Sequence, residues 1–485
     1  MDLFIGLDVG TSAVKGVLLS SDGEKFAIDK RSTRFVHPQA NFTEIDPEEH
    51  VRSVFALIRD LSDRAPAGGT IRGISMAFAS GNALLLDEDD RPLCNIISWL
   101  DGRAVNKTSQ LLPGLDIEGF HDVVGWPFGE FFPMAQIAWF RKNNPQTWRR
   151  VARVCMNNDY LFYRLTGRWG MDPSTASTFY LYDQVNRCWH KPYLDLLGIG
   201  EQMLSKLLDS GKVLDSLTAD ASKETGLPET TVAVLGAFDH PSAARGTGVL
   251  SVGKMLLSCG TSWVGFYPIE DRALGIGQKM LVDPFLTPSG PWGAMSSLTA
   301  IGITIDKHIE QYVLAGENSP EQKYEIFNKA AQRAPLGSGG LFLDLYRGRT
   351  AFLDNVENLL ASHSLEEVSR ALMEGAAFEV RRLMERLDKA GITAEEATMV
   401  GGPTESPIWP QIVADVTDFH FKLINGQTAG AVGAAILAAI GYGLFNSEQE
   451  AFQAMGGSGR TVRPDSRRVR QYNFLYEKFM EKFQK

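Results

Sequence analysis

Along the first hundred residues the apolar positions come in short blocks broken by glycine and polar turns, then shift to a spacing of three and four. This change of period predicts strands interleaved with a helix. Residues 2–8, 14–20 and 24–32 predict three strands joined by tight turns, with Ser21-Asp22-Gly23 as the second turn. A helix is expected from Pro47 to about Arg64: Asp46 suits the N-cap, Pro47 the first helical position, and Val51, Val54, Phe55, Ile58 and Leu61 form one apolar face. Ile71–Ala77 and Ala83–Asp87 predict two more strands, and the acidic run Asp87-Glu88-Asp89-Asp90 a solvated turn. Such a mixture indicates an α/β sheet domain.

Residues 100–230 lose the strand pattern and are expected to be helical and irregular, an insertion around the first sheet, with turns at Leu165-Thr-Gly167 and Asp172-Pro-Ser174. Thr231–Gly236 returns to strand and runs into Ala237-Phe-Asp-His-Pro241. A second half begins near Gly246-Thr-Gly248, with helices expected over 300–315, 320–333 and 364–390, the last opening on the capping box Ser364-Leu-Glu-Glu367. Ala397–Gly402 predicts a strand, Pro407–Thr417 a helix, Phe419–Ile424 a strand and Thr428–Ile440 a helix of small residues. Polar helix and loop are expected over the last 40 residues.

One stretch stands out chemically. Ile5-Gly-Leu-Asp-Val-Gly-Thr-Ser12 leads from an apolar strand into a turn where Gly10 permits a tight bend and Thr11 and Ser12 offer N–H and O–H donors beside Asp8. A turn of consecutive amides suits a phosphate, and a carboxylate next to it suits hydrated Mg2+; an ordinary hairpin turn is the other reading. The pattern recurs about 250 residues later in Met255-Leu-Leu-Ser-Cys-Gly-Thr-Ser262, followed by apolar Trp263–Tyr267. A repeat at half the chain length points to two related domains, whose turns could face one nucleotide. Asp239, beyond a strand and beside His240 and Pro241, suits a general base that takes a proton from a substrate hydroxyl, or else a helix N-cap. Gly401-Gly402 suits close approach to a flat ligand such as adenine, or a tight strand-to-helix turn. Gly248–Met255 is a near miss for a P-loop: it ends in Met rather than Ser or Thr and leads into a strand.

Composition narrows the classes. A chain of 485 residues exceeds one core, so two or more domains are expected. The net charge of −10, with scattered Lys and Arg, argues against nucleic acid. Cys94, Cys155, Cys188 and Cys259 lie far apart and the eight histidines are dispersed, so neither a disulfide framework nor a Cys/His metal site is suggested. No basic segment precedes the first strand, and the uncharged run Ala429–Phe445 is too short and too poor in large apolar residues for a span, so neither a signal peptide nor a membrane partner is expected.

The ordered set of motifs resembles the FGGY carbohydrate kinases, members of the actin-like ATPase superfamily that includes hexokinases and heat-shock chaperones. It comprises Gly6-Leu-Asp-Val-Gly-Thr-Ser12 with Lys15, Asp87 with Pro92-Leu93, Trp99-Leu-Asp-Gly-Arg103, Asn158-Asp-Tyr160 with Leu165-Thr-Gly167, and Gly236-Ala-Phe-Asp239. Ser258-Cys-Gly-Thr-Ser262, Glu374-Gly-Ala376, Gly401-Gly-Pro-Thr-Glu-Ser406 and Gly433-Ala-Ala435 complete it, so the resemblance covers nearly the whole chain.

The resemblance implies an α/β protein of two actin-like (ribonuclease H-like) domains flanking an ATP/sugar cleft: a sugar-binding domain over 1–246 and an ATP-binding domain over 247–485. It makes Asp239 the catalytic base and Asp8 the Mg2+ carboxylate, puts Thr11, Ser12 and Lys15 on the γ- and β-phosphates and Thr261 on the other side of the triphosphate, and assigns Gly302, Gly401, Gly402 and Ser406 to the ribose and adenine. On the sugar side lie Ser80, Gly81, Asn82 and His240; Ser80-Gly81 replaces the Arg-Glu of glycerol kinases and the Met-His of xylulokinases, which argues against glycerol and D-xylulose. Tyr346-Arg-Gly-Arg-Thr350 lacks the Glu of the family's Gly-Glu-Arg. The implied activity is ATP-dependent phosphorylation of a small sugar or polyol (a pentulose, hexulose or sugar acid) in the cytoplasm, with a homodimer expected at family level. The alternative is an actin-like nucleotide switch that binds a protein partner, against which Asp239 and Trp99-Leu-Asp-Gly-Arg103 argue.

Overall fold

The computed structural model describes residues 1–79, 81–260, 262–298, 301–310, 322–345, 362–424 and 426–483. They form two compact units. The first comprises Met1–Leu250, Asp271–Gly293 and Thr428–Gly457, and the second Ser251–Glu270, Ala294–Gln427 and Ser458–Lys485. A division at 246/247 therefore lies near the first change-over, but two later segments also fold into the first unit.

The sheet of the first unit consists of β1 (Asp2–Val9), β2 (Ala13–Ser20), β3 (Lys25–Ser32), β4 (Thr70–Phe78), β5 (Val213–Ser216) and β6 (Val232–Phe238), in the spatial order β5-β6-β4-β1-β2-β3. β1, β4 and β6 are parallel neighbours, whereas β2 and β3 return antiparallel. Successive side chains of a strand point to opposite faces, and β1 is apolar on both. Leu3, Ile5 and Leu7 enter a core with Val54, Leu57, Ile58 and Leu61 of helix α1 (Pro47–Ser62). Phe4 enters a second core with Ala431, Ala435 and Ile436 of the helix Ala429–Tyr442. α1 begins as expected, with Asp46 Oδ1 accepting the N–H of Glu49 at 2.8 Å. Three further helices matter for the site: α2 (Asn157–Thr166), α3 (Pro173–Phe179) and α4 (Asp239–Thr247).

The small-residue helix packs on β1 and α4 through missing side chains. A Cβ on Gly6 would stand 1.8 Å from Ala431 O, and one on Gly433 1.8 Å from Ser242 O, so both contacts are of backbone on backbone. Its sequence reads as a packing device, and that is its role.

The second unit repeats the plan. β7 (Gly253–Cys259) and β8 (Trp263–Ile269) form an antiparallel pair, β10 (Ala394–Gly401) lies parallel to β7, and the strands run β9 (Trp292–Leu298)-β8-β7-β10-β11 (Phe421–Leu423)-β12 (Arg460–Val462). Helices α5 (Ile301–His308), α6 (Lys323–Arg333), α7 (Leu365–Lys389) and α8 (Trp409–Thr417) accompany this sheet. The capping box opens α7: Ser364 Oγ accepts the N–H of Glu367 at 3.2 Å, and Glu367 Oε2 accepts the N–H of Ser364 at 2.9 Å. No helix among the described residues is long and apolar enough to cross a membrane.

Candidate active site

The parallel strands β1, β4 and β6 end at one edge of the first sheet, where Asp8 pairs with Ala77, and Ala77 with Ala237. Binding groups in open α/β sheets gather at the carboxyl ends of parallel strands, and here that edge holds two carboxylates. Asp8 comes from the end of β1, and Asp239 follows the end of β6 as the first residue of α4. Lys15 lies directly opposite Asp8 on β2. Of the sequence's two readings for Asp239, the helix cap is not what the geometry shows. Phe238 occupies the cap position, and Asp239 Oδ1 takes the adjacent N–H of His240 at 2.6 Å.

The two acids are unusual. Burial pushes the Asp239 carboxyl up to about 7, with the His240 N–H opposing the rise. Burial also pushes Asp8 up to about 6; the charge of Asp239 adds to the rise, and Lys15 and His240 oppose it. Asp239 sits in a recess, with 31% of its side chain still open to solvent, so a small substrate can reach it. His240 Nε2 stands 3.9 Å from Asp239 Oδ1, and burial holds the imidazole down at about 4, so it is neutral at pH 7. Two like charges that repel in a recess are an environment a divalent cation relieves. Among the described residues no three His, Cys, Asp or Glu side chains cluster as a metal cage. That donor set fits Mg2+, which binds through one or two carboxylates plus water and phosphate.

Around this edge the corner after β1 is tied by Gly10 N–H to Ala13 O at 3.1 Å, and Ser12 is exposed beside it. Thr11 Oγ1 accepts the indole N–H of Trp99 at 2.9 Å. Gly81 has φ +78°, and a Cβ there would stand 2.7 Å from the Phe132 ring and 2.9 Å from Trp99, so the loop after β4 is pressed against aromatic side chains. Asn82 Oδ1 accepts the N–H of Asn157 at 2.6 Å and thereby anchors the start of α2. Ser80, Thr261 and residues 346–350 lie outside the described residues.

The second unit holds a cavity of about 810 Å³ lined by Gly302, Phe327, Asn328, Gly402, Ser406 and Trp409, among others. The two adjacent glycines do different work. At Gly401, with φ +105°, a Cβ would meet Cys259 O at 2.2 Å, so its role is the close pass of the strand end; at Gly402 a Cβ meets nothing within 4 Å, leaving the cavity floor flat. Ser406 Oγ donates to Asn328 Oδ1 at 2.7 Å and accepts the N–H of Trp409 at 3.1 Å, joining α6 to the start of α8. Asn328 escaped the sequence reading because it sits in an ordinary helical pattern among Phe327, Ala330 and Ala331. So did Gly430, where a Cβ would come within 3.1 Å of the Asp8 carboxylate.

Two α/β sheets of matching plan, each with its leading strand between an antiparallel and a parallel neighbour, define an actin-like two-domain fold. The family descriptions "FGGY family of carbohydrate kinases, N-terminal domain" and "C-terminal domain" match residues 3–246 and 255–442. The chain belongs to the FGGY family of carbohydrate kinases. It is similar to a xylulose kinase of Bacillus subtilis, 26% identical over 487 residues, covering 98% of this chain and 96% of the relative. An autoinducer-2 kinase of Enterobacter sp. is 24% identical over 504 residues, covering 100% and 94%. The crystal structure of xylulose kinase from Rhodospirillum rubrum superposes with a TM-score of 0.86 at 25% identity, covering 99% of this chain and 98% of that one. The protein is therefore an enzyme, a kinase that uses ATP to phosphorylate a small sugar; a nucleotide switch is not favoured.

Proposed function

We propose that Asp239 is the general base of this kinase and that the first unit binds the accepting sugar beside it. The observation that carries this reading is the recess at the ends of β1, β4 and β6, where a reachable carboxylate raised to about 7 stands beside Asp8 and Lys15. A base with that value is half ionised at neutral pH and takes the proton of a sugar hydroxyl as its oxygen attacks phosphorus. Neutral His240 keeps an imidazole on the sugar side without adding charge, and Gly81 and Asn82, with Ser80, complete the sugar's surroundings. Lys15, Thr11 and Ser12 hold the β- and γ-phosphates, and Thr261 supplies a further contact. Asp8 holds Mg2+, which when bound neutralises charge on the transferred phosphoryl group. Gly302, Gly402 and Ser406 take the ribose and adenine, with Gly401 shaping the floor.

The substrate class is a ketose, sugar acid or polyol of five or six carbons. The relatives' names put xylulose and autoinducer-2 in the test panel. The family also leads us to expect a cytoplasmic homodimer, which fractionation and sedimentation test. The deciding experiment is ADP release coupled to a panel of pentuloses, hexuloses, sugar acids and polyols, with Asp239→Asn in parallel. One or a few sugars should stimulate turnover, and the variant should bind ATP and sugar while kcat drops about 10³-fold. Near-normal turnover by Asp239→Asn removes the residue from its role.

A further inference from the structure

The geometry points to Ser174 and Asp283 as positioning residues that fix the strand end from which Asp239 projects, a role that rests on Asp239 being the base. Pairing of β6 with β5 covers Val232, Ala233 and Val234 and is prolonged through Gly211 and Lys212 to Leu235. Beyond that point β4 still pairs with Ala237 and Phe238 on one edge, while on the other edge a side chain takes the place of β5. The N–H of Phe238, the residue just before Asp239, donates to Ser174 Oγ at 3.1 Å, and Ser174 Oγ donates in turn to Asp283 Oδ2 at 2.7 Å. A serine hydroxyl has one hydrogen. Giving it to Asp283 turns the oxygen lone pairs toward the Phe238 N–H, so the carboxylate sets the direction of the bond that holds the peptide.

The helix that carries the hydroxyl and the strand that carries its acceptor are both anchored by further hydrogen bonds. Ser174 rides on α3, which starts where Asp172 Oδ1 accepts the N–H of Thr175 at 2.9 Å. Asp283 ends the short strand Leu281–Asp283, where the N–H of Val282 donates to Gly125 O at 2.7 Å and Gln184 Nε2 donates to Val282 O at 2.7 Å. The same Gln184 amide donates to Ser177 Oγ on α3 at 2.9 Å, so α3 and the strand are tied twice. Two residues past Asp283, Phe285 O accepts from buried Arg245 at 2.7 Å near the other end of α4. The segment Asp283–Phe285 is therefore linked to the helix of the base near both ends, through Ser174 to Phe238 and directly to Arg245.

The buried chain is a poor stabiliser. Ser174 and Asp283 are 0% exposed, and Asp283 Oδ1 is buried without a hydrogen-bond partner among the described residues. Desolvating a carboxylate while leaving one oxygen unpaired costs stability. A misplacement of about 1 Å at a reacting group can cost about 100-fold in rate, which gives such a chain a reason to persist.

The test compares Ser174→Ala, Asp283→Ala, Asp283→Asn, the double alanine variant and Asp239→Asn, reading kcat, both KM values and the unfolding midpoint. We expect Ser174→Ala and Asp283→Ala each to lower kcat about 10- to 100-fold with KM for sugar and ATP within about 3-fold of wild type. The double variant should be no more than about 2-fold slower than the worse single, because both break one chain. Asp283→Asn, whose amide oxygen still accepts the Ser174 hydrogen, should recover most of the kcat lost in Asp283→Ala. The inference falls if Ser174→Ala keeps kcat within about 2-fold, if its loss is in KM alone, or if it fails to fold, which would make the hydroxyl a stability element. If Asp239→Asn itself turns over normally, the base assignment fails instead; if Asp239→Asn is inactive while Ser174→Ala is normal, only the positioning role is lost.

Discussion

The strands that lead into the two Gly-Thr-Ser sequences share a plan and differ in chemistry. Each is the first strand of an antiparallel pair and has a parallel strand as its other neighbour, β1 between β2 and β4, β7 between β8 and β10. Where the first corner has Asp8 opposite Lys15, the second has Ser258 opposite Val264. The first unit adds Asp239 beyond the end of β6, the next parallel strand but one; in the second unit β10, which stands in the place of β4, ends with Gly401 paired to Cys259. The shared strand plan carries different side chains: two acids with raised carboxyls, Asp8 and Asp239, stand at the strand ends of the first unit, whereas the second unit opens a cavity with Gly402 on its floor and Asp306, Glu325, Lys329 and Glu405 among its walls. Charge handling and shape recognition make opposite demands: the former wants buried acids at a strand end, the latter wants side chains removed.

The sharpest way to break this comparison is to make the first corner resemble the second. Asp8→Ser should lower kcat about 10²- to 10³-fold and raise the Mg2+ concentration needed for half-maximal rate; an unchanged Mg2+ titration would contradict the role of Asp8. The glycine pair sharpens the other half. Gly402→Val should raise KM for ATP about 10-fold with the unfolding midpoint unchanged, since its Cβ meets nothing within 4 Å. Gly401→Val should destabilise the protein by about 3 kcal/mol, because its Cβ would meet Cys259 O at 2.2 Å in a backbone conformation with φ +105°. Reversed outcomes would mean the adjacent glycines have exchanged roles.

Smaller effects follow from the raised acids. The base must be ionised to act, so kcat/KM should fall about tenfold per pH unit below about 7, where the Asp239 carboxyl titrates. A flat profile down to pH 5 would remove it. Because its folded value lies above the unfolded one, the folded protein binds the extra proton between about pH 4 and 7, and ionising Asp239 costs stability progressively over that window. In the absence of ligands, Asp239→Asn should therefore melt about 5 °C higher than wild type at pH 8 and together with it near pH 4.

Local pattern was enough for much of this. The apolar runs of β1, β4 and β6, the Asp46 cap of α1, the Ser364 box of α7 and the repeated corners are each written within a dozen residues, because strand period, cap chemistry and turn chemistry are short-range. Asp8, Asp239 and Gly402 were legible as candidates because each sits beside a strand end or a glycine turn, whereas Lys15 was assigned only through the family resemblance. What local pattern left open was whether Asp239 caps a helix, which of two glycines faces a ligand, and that residues 271–293 and 428–457 fold into the first unit.

By itself the sequence determined the leading strands of both units, the repeat of the Gly-Thr-Ser motif and the residue types available for phosphoryl transfer. It did not determine the sheet strands Val213–Ser216, Trp292–Leu298 and Arg460–Val462, which fall where its pattern predicts helix or loop, or names no strand. Only the tertiary structure decided that Ser174 and Asp283, 109 positions apart, join in one bond behind the base, that Asn328 meets Ser406, and that Gly430 leaves room for Asp8. The reason is physical. Propensity and capping depend on neighbours along the chain, whereas a raised carboxyl or a directed hydroxyl depends on which distant segments exclude water around it.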